Sequence, residues 1–215
     1  MNLARTILSI ENAFYEYRFG ISTHGLHGFT PGDWSQSEHI YYGTMPYRWI
    51  FPVLDALRLG PSDVFVDLGC GKGRVVCCAS LYSCARVIGV DDTQEMCTMA
   101  QTNLRQMGHR QRAPATILCG KAEDFDYSQG TVFYMFHPFG PKTLTAVLSR
   151  IEDSFRQSPR AIRIVYVNPR HEMVLEATSW LERYQQWPGR KPSPGWVGYP
   201  VSFWSPRPAE GLSTN

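Results

Sequence analysis

One stretch constrains this chain more than any other: V-F-V-D-L-G-C-G-K-G-R, residues 64–74. It opens as a short apolar run bounded by turn residues, which reads as a buried strand. It closes in glycines at 69, 71 and 73, with Asp67 just before them. Glycine lets a backbone turn tightly and approach a ligand closely. In an open α/β sheet such a strand-to-helix turn lies beyond the carboxyl ends of the strands, where ligands bind. A dinucleotide fingerprint would be G-x-G-x-x-G, with its third glycine at position 74, which is Arg74. The spacing therefore argues against a nicotinamide-dependent dehydrogenase. It favours a ligand whose near end is cationic and polar over a pyrophosphate.

The segments on either side alternate in period. ARVIGVDD (85–92), ATILCGKAEDF (115–125), TVFYMFHPFG (131–140) and RAIRIVYVNP (160–169) read as strands. Between them GRVVCCASLYS (73–83), TQEMCTMAQTNLRQMG (93–108) and PKTLTAVLSRIEDSFRQ (141–157) read as helices, with HEMVLEATSWLER (171–183) as a further one. Thr93 is placed to cap a helix start, Gly108 to stop one and Pro141 to open one. Alternation of this kind predicts a mostly parallel sheet covered by helices on both faces. RYQQW (183–187) and VGYPVSFW (197–204) flank a Pro- and Gly-rich connection and predict an antiparallel pair at the sheet edge.

Composition fits one domain. The chain has 215 residues, 43% hydrophobic and 19% charged, enough for a substantial core. A net charge of +2 gives no case for nucleic acid or an anionic membrane surface. No apolar run is long enough to span a membrane, and the N-terminus reads as an amphipathic helix, not a secretory signal, with its aromatics Phe14, Tyr15, Tyr17 and Phe19 expected to pack partly on the sheet. The six cysteines form no CxxC pair and fall mostly in apolar segments, as free thiols would in a reducing cytoplasm. His24, His27 and His39 have no spacing that demands a metal, and no metal site is expected. Residues 20–45, rich in turn formers and aromatics, are too long for an ordinary connection and read as a lid.

D-L-G-C-G-K-G resembles motif I of the class I S-adenosylmethionine-dependent methyltransferases. VIGVD ends in Asp91, where that family places an acid for the ribose hydroxyls. The resemblance covers about residues 46–205. More narrowly, the chain is similar to small members marked by F-G-I-x-T (Phe19, Gly20, Ile21, Thr23), a Tyr-containing segment (Tyr41, Tyr42, Thr44), D-x-G-x-G-K-G-R, N-P-F after the fourth strand, and I-V-Y-V-N-P at 164–169. The resemblance implies a Rossmann-like doubly wound, mostly parallel seven-stranded sheet with an antiparallel C-terminal strand pair and an N-terminal helical and lid extension. The domain is then 46–205, preceded by helix and lid in 1–45 and followed by a flexible tail at 206–215.

It also implies S-adenosylmethionine as cofactor, held by Asp67, Gly69, Cys70, Gly71, Gly73 and Asp91, with Tyr42 and Thr44 from the N-terminal side. Two positions depart from the family pattern. An acid is expected beside the adenine after the third strand, but the segment reads Gly120, Lys121, Ala122, Glu123, so Ala122 and Glu123 become the candidates. His137 stands where the resemblance leads one to expect Asn. Phe136, Pro138, Phe139 and Tyr41 are then the residues beside the acceptor, and His137 the catalytic candidate, acting as base or only positioning the acceptor. Lys72 and Arg74 read as a solvated pair at the helix start. Trp196 and Tyr199 are candidates to line an apolar pocket.

The expected activity is methyl transfer to a small, aromatic or apolar molecule. The alternatives are a protein-lysine N-methyltransferase of the same fold and a silent cofactor-binding partner subunit.

Overall fold

A computed structural model describes residues 3–24, 43–189 and 198–208. Of the lid expected at 20–45, residues 25–42, with His27, His39, Tyr41 and Tyr42, lie outside the described residues, as do Trp196 and most of the expected C-terminal tail. The elements run α1 (Leu3–Phe19), α2 (Tyr47–Leu57), β1 (Val64–Leu68), α3 (Arg74–Ala79), β2 (Arg86–Asp91), α4 (Gln94–Met107), β3 (Ala115–Cys119), β4 (Val132–Phe136), α5 (Pro141–Gln157), β5 (Arg163–Val167), α6 (Glu172–Glu176), β6 (Leu181–Trp187) and β7 (Val201–Pro206).

The seven strands form one sheet in the order β3-β2-β1-β4-β5-β7-β6. β1 pairs in parallel with β2 on one side and β4 on the other. β7 enters antiparallel between β5 and β6. The order reverses at β1, so the carboxyl ends of β1, β2 and β4 surround a crevice at the topological switch point. The fold class expected from the sequence is the one observed.

The core lies on both faces of the sheet. Phe65, Tyr134, Val165 and Phe203 meet α2 through Ile50, Val53 and Leu54, and the α3 and α4 residues Val76, Ala100, Leu104 and Met107 join the same cluster. The opposite face, Val66, Leu68, Phe133, Met135 and Ile164, meets Leu144, Val147, Leu148 and Ile151 of α5. Burial of these near-continuous apolar strands on both faces is what a parallel sheet requires.

Two sequence expectations shift. The helix read at 171–183 ends at Glu176, and β6 begins at Leu181. Pairing with β7 takes those residues, and Arg207 fastens the start of the strand by donating from its backbone N–H to the Trp180 carbonyl and from Nε to the Leu181 carbonyl. On α1, Tyr15 and Phe19 pack against Tyr47, whereas Phe14 and Tyr17 are exposed rather than packed toward the sheet.

Candidate functional site

The loop after β1 is held in place before any side chain is considered. The N–H groups of Gly69 and Cys70 both donate to the Val90 carbonyl, at 2.8 and 2.9 Å, which ties the turn to the end of β2. Gly69, Gly71 and Gly73 all have positive φ, at 76°, 51° and 78°. An L-residue is strained there. At Gly69 the space is closed as well: an added Cβ would lie 2.4 Å from Pro138 Cβ. At Gly73 it would lie 3.0 Å from the Ala100 methyl, so this glycine lets α3 start hard against α4. The turn after β4 therefore packs directly on the turn after β1.

Two carboxyls face this loop. Asp91, at the end of β2, accepts from the Gly71 N–H at 2.8 Å with Oδ2 and from the Thr93 N–H at 3.0 Å with Oδ1. A carboxylate has about four acceptor positions, so lone pairs remain for a ligand. Burial pushes its carboxyl up from the usual range, and these two N–H bonds hold it partly back. Asp67 is only 4% exposed, and its carboxyl has no hydrogen-bond partner among the described residues. Burial, and secondarily the Asp91 charge, pushes it well above the usual carboxylate range. A buried acid without a partner is costly unless a cation or donor reaches it. Cys70 is buried and its thiol is held neutral by burial.

Around the expected adenine position, Ala122 is buried in a short 3-10 turn at Ala122–Asp124 and Lys121 is exposed. Glu123 is half-buried and accepts from the Thr143 hydroxyl of α5 at 3.3 Å. Thr44 is half-buried just before α2.

The expectation that Lys72 and Arg74 are solvated does not hold: they are 7% and 3% exposed. Arg74 donates from Nε to Thr23 Oγ1 (2.6 Å), from Nη1 to the Met45 carbonyl (3.0 Å) and from Nη2 to Glu16 Oε1 (2.9 Å). Its guanidinium also lies 4.6 Å from the Tyr47 ring centre. Lys72 Nζ donates to the His24 carbonyl at 2.8 Å. Asn103 of α4 closes the bracket, accepting from the Ser22 N–H and donating to the Ser22 and Lys72 carbonyls. Thr23 in turn donates from Oγ1 to Glu16 Oε1 at 2.7 Å. Burial opposes ionisation of Glu16, but the hydrogen bonds of Thr23 and His24 and the Arg74 charge hold its carboxyl below the usual range. Residues 20–24 are thus strapped over the glycine loop. Gly20, with φ 70°, makes the turn out of α1 that this requires.

The turn after β4 carries His137, 7% exposed, with φ 43°. Asn168, at the end of the neighbouring β5, has φ 52°. Each precedes a proline, and non-glycine residues rarely adopt this backbone, so two adjacent strand ends hold strained turns at one edge. His137 Nδ1 lies 3.1 Å from the Tyr166 hydroxyl, and the His171 ring is 5.1 Å from the His137 ring. Burial, with the nearby His171 and Arg170 charges, lowers His137 to about 4, while burial raises Tyr166 to about 12. Phe136 meets Tyr199 edge-on at 5.1 Å, and Tyr199 meets Trp49 at 5.6 Å. Phe139 instead packs against the α5 side of the core.

The structure therefore brings Asp67, Gly69, Cys70, Gly71, Gly73, Asp91, His137 and Pro138 to one crevice. Sequence reasoning missed Glu16, Asn103, Tyr166, Asn168 and His171. Only Asn168 carried a local signal, as the N-P that ends the fifth strand.

Comparison with known proteins agrees with this geometry. Residues 33–131 match a family model described as histone methylation protein DOT1. A protein-lysine N-methyltransferase of Saccharolobus islandicus is 29% identical over 103 residues, 47% of this chain and 63% of that protein. A histone-lysine N-methyltransferase specific for H3 lysine-79, from Caenorhabditis elegans, is 38% identical over 61 residues, 28% of this chain and 6% of that protein. The chain thus spans less than two thirds of either curated relative. Among solved structures, an RNA methyltransferase from Salinibacter ruber in complex with S-adenosyl-L-homocysteine aligns with TM-score 0.56 at 19% identity, covering 76% of this chain and 93% of that one, which is a likeness of fold.

The residues present fit S-adenosylmethionine. Asp67 is a buried acid waiting for a positive partner, Asp91 keeps lone pairs for hydroxyl donors, and the loop between them is built from glycines at positive φ packed tightly on Pro138 and Ala100.

Proposed function

We propose that this chain, a class I S-adenosylmethionine-dependent methyltransferase in fold and cofactor loop, methylates the side-chain amine of lysine in a protein. The observation that carries this reading is the matched stretch itself. A histone-methylation family model and two lysine methyltransferases all align to this chain, and the family model spans the glycine loop and Asp91. It replaces the small aromatic acceptor expected from the sequence as the preferred substrate.

Bound at this site, S-adenosylmethionine supplies an electrophilic methyl group next to a positively charged sulfur. The chain's own residues do the rest. Asp67 offers an anionic partner to a cationic ligand group, and Asp91 accepts from hydroxyls at the end of β2. The strap of residues 20–24 covers the loop and keeps it dry. A lysine amine reacts only when neutral, so the approach must favour the uncharged form. The half-buried aromatics Phe136 and Tyr199, backed by the buried Trp49, do this by desolvation, which disfavours the ammonium. His137, held neutral near pH 7, adds no positive charge to the crevice. Phe136 and Pro138 remain the proposed acceptor-side residues, with Thr44, Ala122 and Glu123 on the cofactor side, whereas Phe139, expected beside the acceptor, packs toward α5.

The test is incubation of the purified chain with methyl-labelled cofactor and cell lysate, followed by peptide mass spectrometry. Label on lysine side chains is the expected result. Label confined to extractable small molecules would support the second reading, a small aromatic acceptor against the same aromatic wall. Cofactor binding without transfer to either fraction would point to a silent partner subunit.

A further inference from the structure

The hydrogen bond between His137 and Tyr166 has a direction, and the direction decides what His137 can do. His137 Nδ1 and the Tyr166 hydroxyl are 3.1 Å apart. Tyr166 is fully buried. A phenol has one proton to give, and among the described residues its hydrogen-bond partner is Nδ1. If the imidazole gave its Nδ1 proton to the hydroxyl, the phenol proton would be sealed in the core without an acceptor. Buried donors are rarely left so, because they lose their water and gain nothing. With the phenol as donor, both groups are satisfied by one bond.

We propose that Tyr166 donates to His137 Nδ1 and thereby fixes the imidazole as its Nε2–H tautomer, so that His137 faces the acceptor site as a hydrogen-bond donor and not as a base. The neutral states fit: Tyr166 keeps its proton and His137 takes none near pH 7. His137 Nε2 has no hydrogen bond among the described residues, and it is not among the sealed, partnerless atoms.

A donor placed here cannot serve the attacking nitrogen. Its lone pair must point at the methyl carbon, and a hydrogen bond to that lone pair would compete with transfer. The partner of Nε2–H is therefore an oxygen, and on a polypeptide substrate that is a main-chain carbonyl near the methylated lysine. This placement rests on the lysine reading above; the direction of the Tyr166 bond does not. Tyr166 acts through His137 and is a positioning residue.

The test begins with two-bond proton–nitrogen correlation spectra of the 15N-labelled full chain near pH 7. His137 is assigned by its disappearance in His137→Asn. The expected pattern is a protonated Nε2 and a bare, hydrogen-bonded Nδ1. A protonated Nδ1 in the unmodified protein overturns the proposal, and this arm needs no other variant to fold. In Tyr166→Phe the His137 signals should shift toward a tautomer mixture; an unchanged pattern overturns the proposal as well. Turnover gives a second arm. Asn keeps an N–H donor and tolerates positive φ. Both variants should lose activity, His137→Asn by a clearly smaller factor than His137→Ala, which falls by about tenfold or more. Equal losses in the two would mean that a base was removed, and the donor role fails. Should lysine methylation be absent while the spectrum shows Nε2–H, the lysine reading fails and the tautomer assignment stands.

Discussion

Replacing Arg74 by methionine tests the most buried charged side chain among the described residues. The guanidinium is 3% exposed, makes three hydrogen bonds to the N-terminal side, and lies over Tyr47. Methionine keeps most of the volume, so the loss is electrostatic rather than a cavity. Removing one partner of a buried ion pair leaves the other charge uncompensated, which costs about 3–5 kcal/mol. The cation–π contact lies inside that range, since the methionine side chain regains part of the ring contact. For a domain of this size the loss lowers Tm by about 6–20 °C. The assay is urea denaturation at neutral pH of the unmodified chain, Arg74→Met, Glu16→Gln and the double variant. Glu16→Gln alone leaves Arg74 buried without its anion and should cost a comparable amount. The double variant should cost less than the two singles summed, by about 2 kcal/mol. Cofactor affinity, measured by calorimetry on the folded fraction, should also fall in Arg74→Met, because Arg74, with Glu16, Lys72 and Asn103, ties the strap at 20–24 to the loop. A cost below about 1 kcal/mol for Arg74→Met, with additive singles, would refute the reasoning.

Three further outcomes follow from the site. Gly69→Ala should lose about 2 kcal/mol or more and most cofactor affinity, since φ 76° and the 2.4 Å approach to Pro138 penalise the same methyl; thermal melts with and without cofactor check this. Asp67→Asn should raise the Tm of the cofactor-free protein, yet weaken cofactor binding by about 10–100-fold, because the buried carboxyl lacks a partner until the ligand arrives. Its raised value means that the folded state holds the proton more tightly than the unfolded chain, so its penalty grows as pH rises above 3.8, and the gain in Asp67→Asn should be larger at pH 7 than at pH 4. In acid the signs reverse for three other groups. His137, lowered from 6.5 to about 4, stabilises fully above pH 6.5 and loses that contribution across this window. Glu16 and Asp63, both depressed, stabilise above their unfolded values of 4.5 and 3.8 and lose it as pH falls through their lower folded values. The urea midpoint of the unmodified chain should therefore fall relative to that of His137→Asn as pH drops below about 6.5, and Glu16 and Asp63 add a further loss below about 4.5 against the opposing gain from Asp67.

Why some of this was legible in the sequence and some was not is a matter of range. Recognising the strands and their parallel sheet needs only alternation of period, and the glycine loop needs only local spacing, so β1 through β5 and the loop could be read directly. The boundary between α6 and β6 could not. EMVLEATSWLER carries helical content throughout, and it is pairing of Leu181–Trp187 with β7, remote in the chain, that ends the helix. Arg74 shows the same limit more sharply. A charged residue at a helix start is solvated unless something buries it, and what buries it is Glu16, 58 residues away. Tyr166 was read only as an apolar strand position. Its hydroxyl matters because β5 lies beside β4, with Tyr166 opposite Met135 and two residues from the His137 turn.

The contact between Gly69 and Pro138 joins these observations mechanically. The glycine loop leaves β1 and the turn proposed to face the acceptor leaves β4, and the two strands are neighbours in register, with Leu68 opposite Met135. Because Gly69 has no Cβ, Pro138 fills the space above it. Neither turn can then shift without the other. Holding an acceptor in line with a methyl group requires tolerances of well under an ångström, and a fixed contact between the two turns supplies them without a closing motion. The strain at His137 and Asn168 has a purpose in the same frame. Positive φ at both strand ends turns the chain sharply enough to set Pro138 onto the loop and His137 onto Tyr166 at once. Relaxing His137 to ordinary backbone would move both contacts together, which is why its left-handed conformation belongs to the site and not only to the turn.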